Sequence, residues 1–196
     1  MTIAILGTGN MGSGLAQRLA GKTSVVIGSR TPEANELSYA DAVAKADIVV
    51  LAIPYEAALA AAGSLNLAGK TVVDMTNPVK PDYSGLLLGH TTSAAEEIQK
   101  AAPGAKVVKA FNTIFAGLFA APVTQTAGVP VFVAGNDETA VAAVAELARQ
   151  AGFGVENAGG LDAARFIEPV GMLNIRFGYG LGQGTSIAPT WLKLAA

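Results

Sequence analysis

The chain has 196 residues, enough for one domain with a substantial core and a modest appendage. Hydrophobic residues make up 51% and charged residues 14%, with a formal net charge of −2 and scattered basic residues, which excludes a basic stripe for nucleic acid or an anionic membrane surface. No cysteine is present and His90 is the single histidine, so disulfides, thiolate catalysis and a Cys- or His-based metal site are not expected.

The chain enters directly into an apolar strand, Ile3 to Leu6, without a basic and apolar leader, and no apolar run approaches membrane-spanning length. A cytoplasmic protein without membrane contact is the expectation. The loop Gly7-Thr8-Gly9-Asn10-Met11-Gly12 follows, then apolar residues at helical spacing (Met11, Leu15, Leu19) and a second strand, Val25-Val26-Ile27. This strand, glycine loop and helix read as a dinucleotide-binding unit. Gly7 turns the chain out of the strand, Gly9 lets the backbone approach a pyrophosphate, and Gly12 lets the helix pack closely on the sheet. Amides at the helix start would face the phosphates.

An NAD site places Asp or Glu at the end of the second strand, roughly 20 residues after the glycines. Here Gly28-Ser29-Arg30-Thr31 occupies that place, and the next acid, Glu33, lies beyond Pro32. With no carboxylate to repel a 2′-phosphate, Arg30 can stack on adenine and pair with the phosphate while Ser29 and Thr31 donate hydroxyls, favouring NADP(H) over NAD(H). A solvated loop cation is the plainer alternative for Arg30.

Tyr39 to Ala46 has helical spacing, and Ile48 to Ile53 is a continuous apolar run, as expected of a central parallel strand. Pro54 ends it. Ile53, Pro54 and Tyr55, with Ala52 before them, should lie along the cofactor between its pyrophosphate and nicotinamide, unless the proline is only a stop signal. Tyr55 to Ala62 reads as a helix and Thr71 to Asp74 as a strand, followed by Asn77, whose amide suits either the nicotinamide end of a cofactor or an Asx turn before Pro78. Residues 79–90 read as a loop whose Leu86-Leu87-Leu88 covers something apolar. Ser93-Ala94-Ala95-Glu96 fits a capping box opening a helix to about Pro103.

Lys106 to Phe111 is the next strand, and its end places Asn112 and Thr113 near the reacting end of the cleft. Lys109 raises the question of a catalytic amine, but a surface lysine is the favoured reading. Residues 115–128 suggest a shaped loop or short helix, Val129 to Gly135 a strand, and Asn136 or Asp137 caps a helix to Gln150. Phe153 to Glu156 is a last short strand, with Gly159-Gly160 as a hinge. From Leu161 to Phe177 helical spacing is interrupted by Pro169, predicting a kinked helix or two helices. Asn174 and Arg176 are its polar exceptions, either reaching the substrate space or lying on the wet face. Gly178 to Gly184 is too glycine-rich to be regular, and Trp191 needs a partner to be buried.

The strand and helix alternation predicts an α/β, Rossmann-type doubly wound, mostly parallel sheet with helices on both faces over residues 1–156, and a small C-terminal helical extension over 157–196. Ile-Leu-Gly-Thr-Gly-Asn-Met-Gly at 5–12, Val-Ile-Gly-Ser-Arg at 26–30, Ala-Ile-Pro at 52–54, Lys-Ala-Phe-Asn-Thr-Ile at 109–114 and Leu-Asn-Ile-Arg-Phe-Gly at 173–178 together resemble the F420H2:NADP oxidoreductase family. The run at 109–114 is also similar to the cytosolic oxidoreductase domain of the STEAP metalloreductases. The resemblance implies NADPH binding by Thr8, Asn10, Ser29 and Arg30, hydride transfer to a deazaflavin (F420) or flavin (FMN or FAD), and an extension that shapes the substrate cleft and a homodimer. Phe-Asn-Thr at 111–113 departs from the family, replacing a histidine-containing equivalent.

The expected cofactor contacts are thus Gly7, Thr8, Gly9, Asn10, Met11, Gly12, Ser29, Arg30, Thr31, Ala52, Ile53, Pro54, Asn77, Ala110 and Asn112, and the substrate contacts Pro54, Asn112, Thr113, Ile114 and Asn174. Transfer between two planar rings needs positioning and no side-chain acid or base, so no catalytic residue is expected. A reductase of a small carbonyl or imine, which would need a proton donor such as Lys109, Thr113 or Asn174, and a noncatalytic NADPH-sensing module are the alternatives.

Overall fold

The structure is a computed structural model and describes all residues except 193, 195 and 196, three positions that belong to the predicted extension. Eight strands form one sheet in the order β3-β2-β1-β4-β5-β6-β7-β8. They are β1 (Thr2–Leu6), β2 (Ser24–Ser29), β3 (Leu37–Ser38), β4 (Ile48–Leu51), β5 (Thr71–Asp74), β6 (Lys106–Lys109), β7 (Pro130–Gly135) and β8 (Gly154–Gly159). β1 to β6 are parallel, β7 pairs antiparallel with β6, and β8 runs parallel to β7.

The helices are α1 (Asn10–Leu19), α2 (Tyr39–Lys45), α3 (Tyr55–Ser64), α4 (Ala94–Ala101), α5 (Val123–Thr126), α6 (Glu138–Gln150) and α7 (Ala164–Ile175). They cover both faces because strand side chains alternate. Ile3, Ile5, Ile48, Val50, Val73 and Val108 join Leu15, Leu19, Val144 and Leu147 in one core. Ala4, Leu6, Val49, Leu51, Val72 and Val107 join Ala42, Ala58, Ala62 and Ile98 in the other. The apolar runs therefore mark strands covered twice, as a doubly wound sheet requires.

Ser93 and Asp137 cap α4 and α6 as read from sequence, accepting from Glu96 N at 3.2 Å and Ala140 N at 2.9 Å. Several expectations are corrected. The last strand extends to Gly159, so Gly159 belongs to β8 and not to a hinge. The leucine triplet buries nothing fully: Leu87 is 45% exposed, and the loop is held by a Val79–Leu86 bridge. Of the two alternatives for residues 161–177, two consecutive helices are excluded: Pro169 lies inside a continuous α7, since its missing N–H deprives only the Arg165 carbonyl, one turn from the helix start. α7 then widens into a π turn, Arg176–Gly180, so Gly178 to Gly180 are regular where irregular chain was expected from Gly178 to Gly184. β3, two residues long, was too short to leave a periodic signal.

Candidate active site

The glycine loop has the geometry its sequence implied. Gly7 has φ of 120°, open only to glycine at low cost, and its amide donates to the Gly28 carbonyl at 3.0 Å. Side chains at Gly7 or Gly12 would collide with the Ala52 and Gly7 carbonyl oxygens respectively, so β1, β4 and α1 meet at backbone distance. At Gly9, by contrast, a Cβ would meet nothing within 4 Å: the loop is closed on its sheet side and open on its outer side. Gly9 is also the N-cap of α1, and no side chain caps it, which leaves the helix start available to an anion.

From that point a cleft of about 410 Å³ runs along the carboxyl ends of the central strands. Gly9, Asn10 and Met11 line one end, Ala52, Ile53 and Pro54 the middle, and Asn77, Asn112, Thr113, Ile114 and Asn174 the other end. The structure thus brings together predicted residues of five chain segments, whereas Tyr55 lines an adjoining pocket and not this cleft. Thr8, Arg30 and Thr31 are exposed and Ser29 half-buried beyond the cleft, at the end of β2; Leu6 pairs with Gly28 there, so they flank the loop. Gly7 and Gly12 are buried within the turn. Ala110 is enclosed in the core and does not line the cleft, because β6 ends at Lys109 and only the following residues turn outward.

That turn carries a strained residue: Phe111 has φ of 63°, an uncommon conformation for a bulky side chain. It sends the phenyl ring into the core, with the next residues facing the cleft. Asn77 Nδ2 donates to the Asn112 carbonyl at 2.7 Å, and Asn112 Nδ2 donates to Asn77 Oδ1 at 2.8 Å and to the Ile167 carbonyl at 3.3 Å. Asn174 Nδ2 donates to the Thr113 carbonyl at 3.0 Å. Asn112 Oδ1 and Thr113 Oγ1 are buried without a hydrogen-bond partner. Unpaired buried polar atoms are costly, and these two belong to cleft-lining residues, where a bound amide or hydroxyl would satisfy them. Open Gly9, the uncapped helix start and these two oxygens fit a dinucleotide whose phosphates lie at one end and whose polar ring substituents lie at the other.

Sequence reasoning did not find Met75, Phe115, Gly171, Ile175 or Tyr179, which also line the cleft. Tyr179 packs edge-on against Phe115 at 5.4 Å, and an aromatic residue between glycines in the tail was the one available signal. Among the described residues no carboxylate, histidine or lysine lines the cleft.

Lys109 is wholly buried, which overturns the surface reading. Its Nζ lies 2.8 Å from Asp74 Oδ2 and 2.8 Å from Glu168 Oε1, and it donates to the Thr76 carbonyl. Burial pulls Lys109 down, but the two carboxylates outweigh it and hold the ammonium above the ordinary lysine value. Burial lifts Glu168 above the ordinary glutamate value, opposed by Lys109 and by the Ala94 amide. The Glu168 oxygens also accept from Ala94 N at 3.0 Å and Ala95 N at 3.3 Å, at the start of α4. Each of these contacts donates to the carboxylate and favours its ionised form against the effect of burial.

Comparison with known proteins agrees with this geometry. Residues 2–78 match the family described as NADP oxidoreductase, coenzyme F420-dependent. Over 99% of its length the chain is 33% identical to the whole of an F420-dependent NADP reductase from Methanocaldococcus jannaschii. The chain belongs to the F420-dependent NADP reductase family. It is accordingly an NADP-dependent oxidoreductase. A crystal structure of a candidate F420-dependent NADP reductase from Arthrobacter sp. FB24 superposes with a TM-score of 0.81 at 36% identity, covering 94% of this chain and 96% of that one. Rat metalloreductase STEAP3 is 34% identical over 86% of the chain, which spans only 36% of that protein's length. The likeness to the Arthrobacter protein thus extends to the fold as well as the sequence, and no helix among the described residues is long and apolar enough to cross a membrane.

Proposed function

We propose that this protein transfers hydride between NADPH and a planar deazaflavin or flavin acceptor, with F420 the first candidate and FMN or FAD the others. The observation that carries the reading is a cleft that joins an uncapped helix start to an amide-lined end holding no carboxylate, histidine or lysine among the described residues. NADPH supplies the hydride. Gly9, Asn10 and Met11 hold its pyrophosphate, Arg30 with Ser29 and Thr31 its 2′-phosphate, and Asn77 and Asn112 orient its reacting end. Pro54, Ile114, Asn174 and Tyr179 exclude water and seat the acceptor. A small carbonyl or imine substrate would demand a proton donor at the cleft, and the burial of Lys109 between two carboxylates counts against it.

The extension after residue 156 belongs to the same proposal. Phe166, Val170 and Leu173 on α7 and Phe177 in the π turn after it recur at helical spacing, with Phe166 75% exposed, and Trp191 stands edge-on to Phe132 at 5.1 Å while 60% exposed. We assign this stripe to a homodimer contact. The test of function is to mix the protein with NADPH and F420, FMN or FAD and follow absorbance at 340 nm. Oxidation of NADPH with one of these acceptors supports the reading. Tight NADPH binding with no turnover of any acceptor overturns it in favour of a sensor.

A further inference from the structure

Asp74, Lys109 and Glu168 come from β5, β6 and α7, and three residues after each of them the chain reaches the cleft: Asn77, Asn112 and Gly171 all line it. The three segments are therefore fastened twice. At the deeper level the Lys109 ammonium sits between two carboxylates at 2.8 Å each. At the shallower level Asn77 and Asn112 hold each other, and a side chain at Gly171 would lie 2.7 Å from Asn77 Oδ1. The deeper level also carries charge. Two carboxylates and one ammonium sum to one net negative charge, buried and supported by the start of α4.

The cluster is bonded directly to the chain at the cleft: Asp74 Oδ1 accepts from Thr76 N at 2.8 Å and Lys109 donates to the Thr76 carbonyl, one residue before Asn77, and Asp74, Thr76 and Lys109 are all buried, which leaves little solvent to screen the charge. Nearby, Arg165 and Glu96 pair with each other and cancel.

Building on the proposed NADP(H) reading, we propose that the Asp74–Lys109–Glu168 cluster is a positioning element whose net negative charge favours the cationic, oxidised nicotinamide over the neutral, reduced one. Such a field eases departure of hydride from NADPH, because positive charge develops on the ring as it leaves.

The test is the ratio of affinities for NADP+ and NADPH, measured by calorimetry on the full-length protein and on Asp74→Asn, Glu168→Gln and Glu168→Asp. The two neutralising variants should weaken NADP+ relative to NADPH by about three- to tenfold. Glu168→Asp keeps the charge and should leave the ratio unchanged even where it weakens both ligands. The neutralising variants act on different elements, so either one that folds decides the matter. Equal change in both affinities, as a merely structural role would give, overturns the inference and leaves the cofactor reading intact. A parent protein that takes up neither nucleotide overturns the cofactor reading itself.

Discussion

Asn77 and Asn112 bind each other across the cleft floor, each amide donating to the other residue at 2.7 and 2.8 Å, so that the ends of β5 and β6 are tied by side chains after the ladder between them has ended. Replacing either residue with alanine leaves a buried carbonyl or amide without its partner and frees the reacting end of the cleft. Asn112→Ala is expected to lower the rate of hydride transfer about 10- to 100-fold, the cost of a misplacement near 1 Å. NADPH affinity should change by less than about threefold, because the phosphates are held elsewhere. Single-turnover absorbance and NADPH fluorescence titration measure the two separately.

Arg30 is exposed at the end of β2, with Ser29 Oγ accepting from the Thr31 amide at 3.3 Å. Its role in 2′-phosphate selection predicts that Arg30→Ala weakens NADPH about tenfold or more, or about 1.4 kcal/mol. NADH, which lacks that phosphate, should bind nearly as before. Calorimetry with both nucleotides checks this, and a parent protein with equal affinity for the two contradicts the role.

Gly171 stands where α7 presses on the asparagine pair, and an added Cβ would come within 3.0 Å of the Asn112 carbonyl. Alanine improves helix propensity by about 1 kcal/mol, whereas overpacking of a tight contact costs about 1–3 kcal/mol. The second effect should win. Gly171→Ala should lower the melting temperature by a few degrees and reduce turnover more than tenfold, because the displaced groups line the cleft. Thermal unfolding and steady-state rates provide the check, and a variant with parental turnover would remove Gly171 from the site.

The glycine loop, the strand alternation and the caps at Ser93 and Asp137 were legible because each is a local signal: a fixed glycine spacing, a period, a hydroxyl or carboxylate before an apolar run. Arg30 was legible through the carboxylate it replaces. Lys109 was not, because its partners lie 35 and 59 residues away and a lysine three residues before a strand's apparent end reads as surface. Gly171, Ile175 and Tyr179 were hidden for a related reason. Their place in the cleft depends on how α7 docks on the sheet, and nothing in the helical period of residues 161–177 specifies which face turns toward β5 and β6.

Acid should weaken the fold through carboxylates whose protons are held off by partners. Asp137 accepts from Thr139, pairs with Lys106 at 2.9 Å and caps α6, and these contacts, Thr139 first, hold it well below the ordinary aspartate range. Arg165, then Ser93, lower Glu96, against burial. For a lowered carboxylate the stabilisation is full above the unfolded value, near pH 4, and is lost as pH falls through the folded value. The melting temperature of the parent should therefore fall below about pH 4. Asp137→Asn keeps a cap but not the titration, so its melting temperature should fall less steeply with acid; an identical slope would assign the acid sensitivity to other groups.

Arg18 is buried on α1 without a carboxylate partner. Its guanidinium donates to the carbonyls of Phe119 at 2.6 Å, Leu118 at 2.9 Å and Ala121 at 2.6 Å, and it lies 5.5 Å from the centre of the Phe153 ring. One cation thus gathers the carbonyls at the end of a 3-10 turn, residues 116–119, just after Phe115 and Ala116 at the cleft. Methionine at position 18 would fill the volume but leave the Phe119 and Ala121 carbonyls without this donor, while Leu118 still accepts from Ala121 N, each lost partner costing about 1–3 kcal/mol before relaxation. The segment's cheapest response is to lift away and hydrate them, so the global loss should stay near about 3 kcal/mol while local order falls further. Hydrogen exchange should show lost protection across residues 116–127 in Arg18→Met with β1 and β4 unaffected, and turnover should fall as that cleft wall loosens. Uniform loss of protection would instead make Arg18 a support of the whole core.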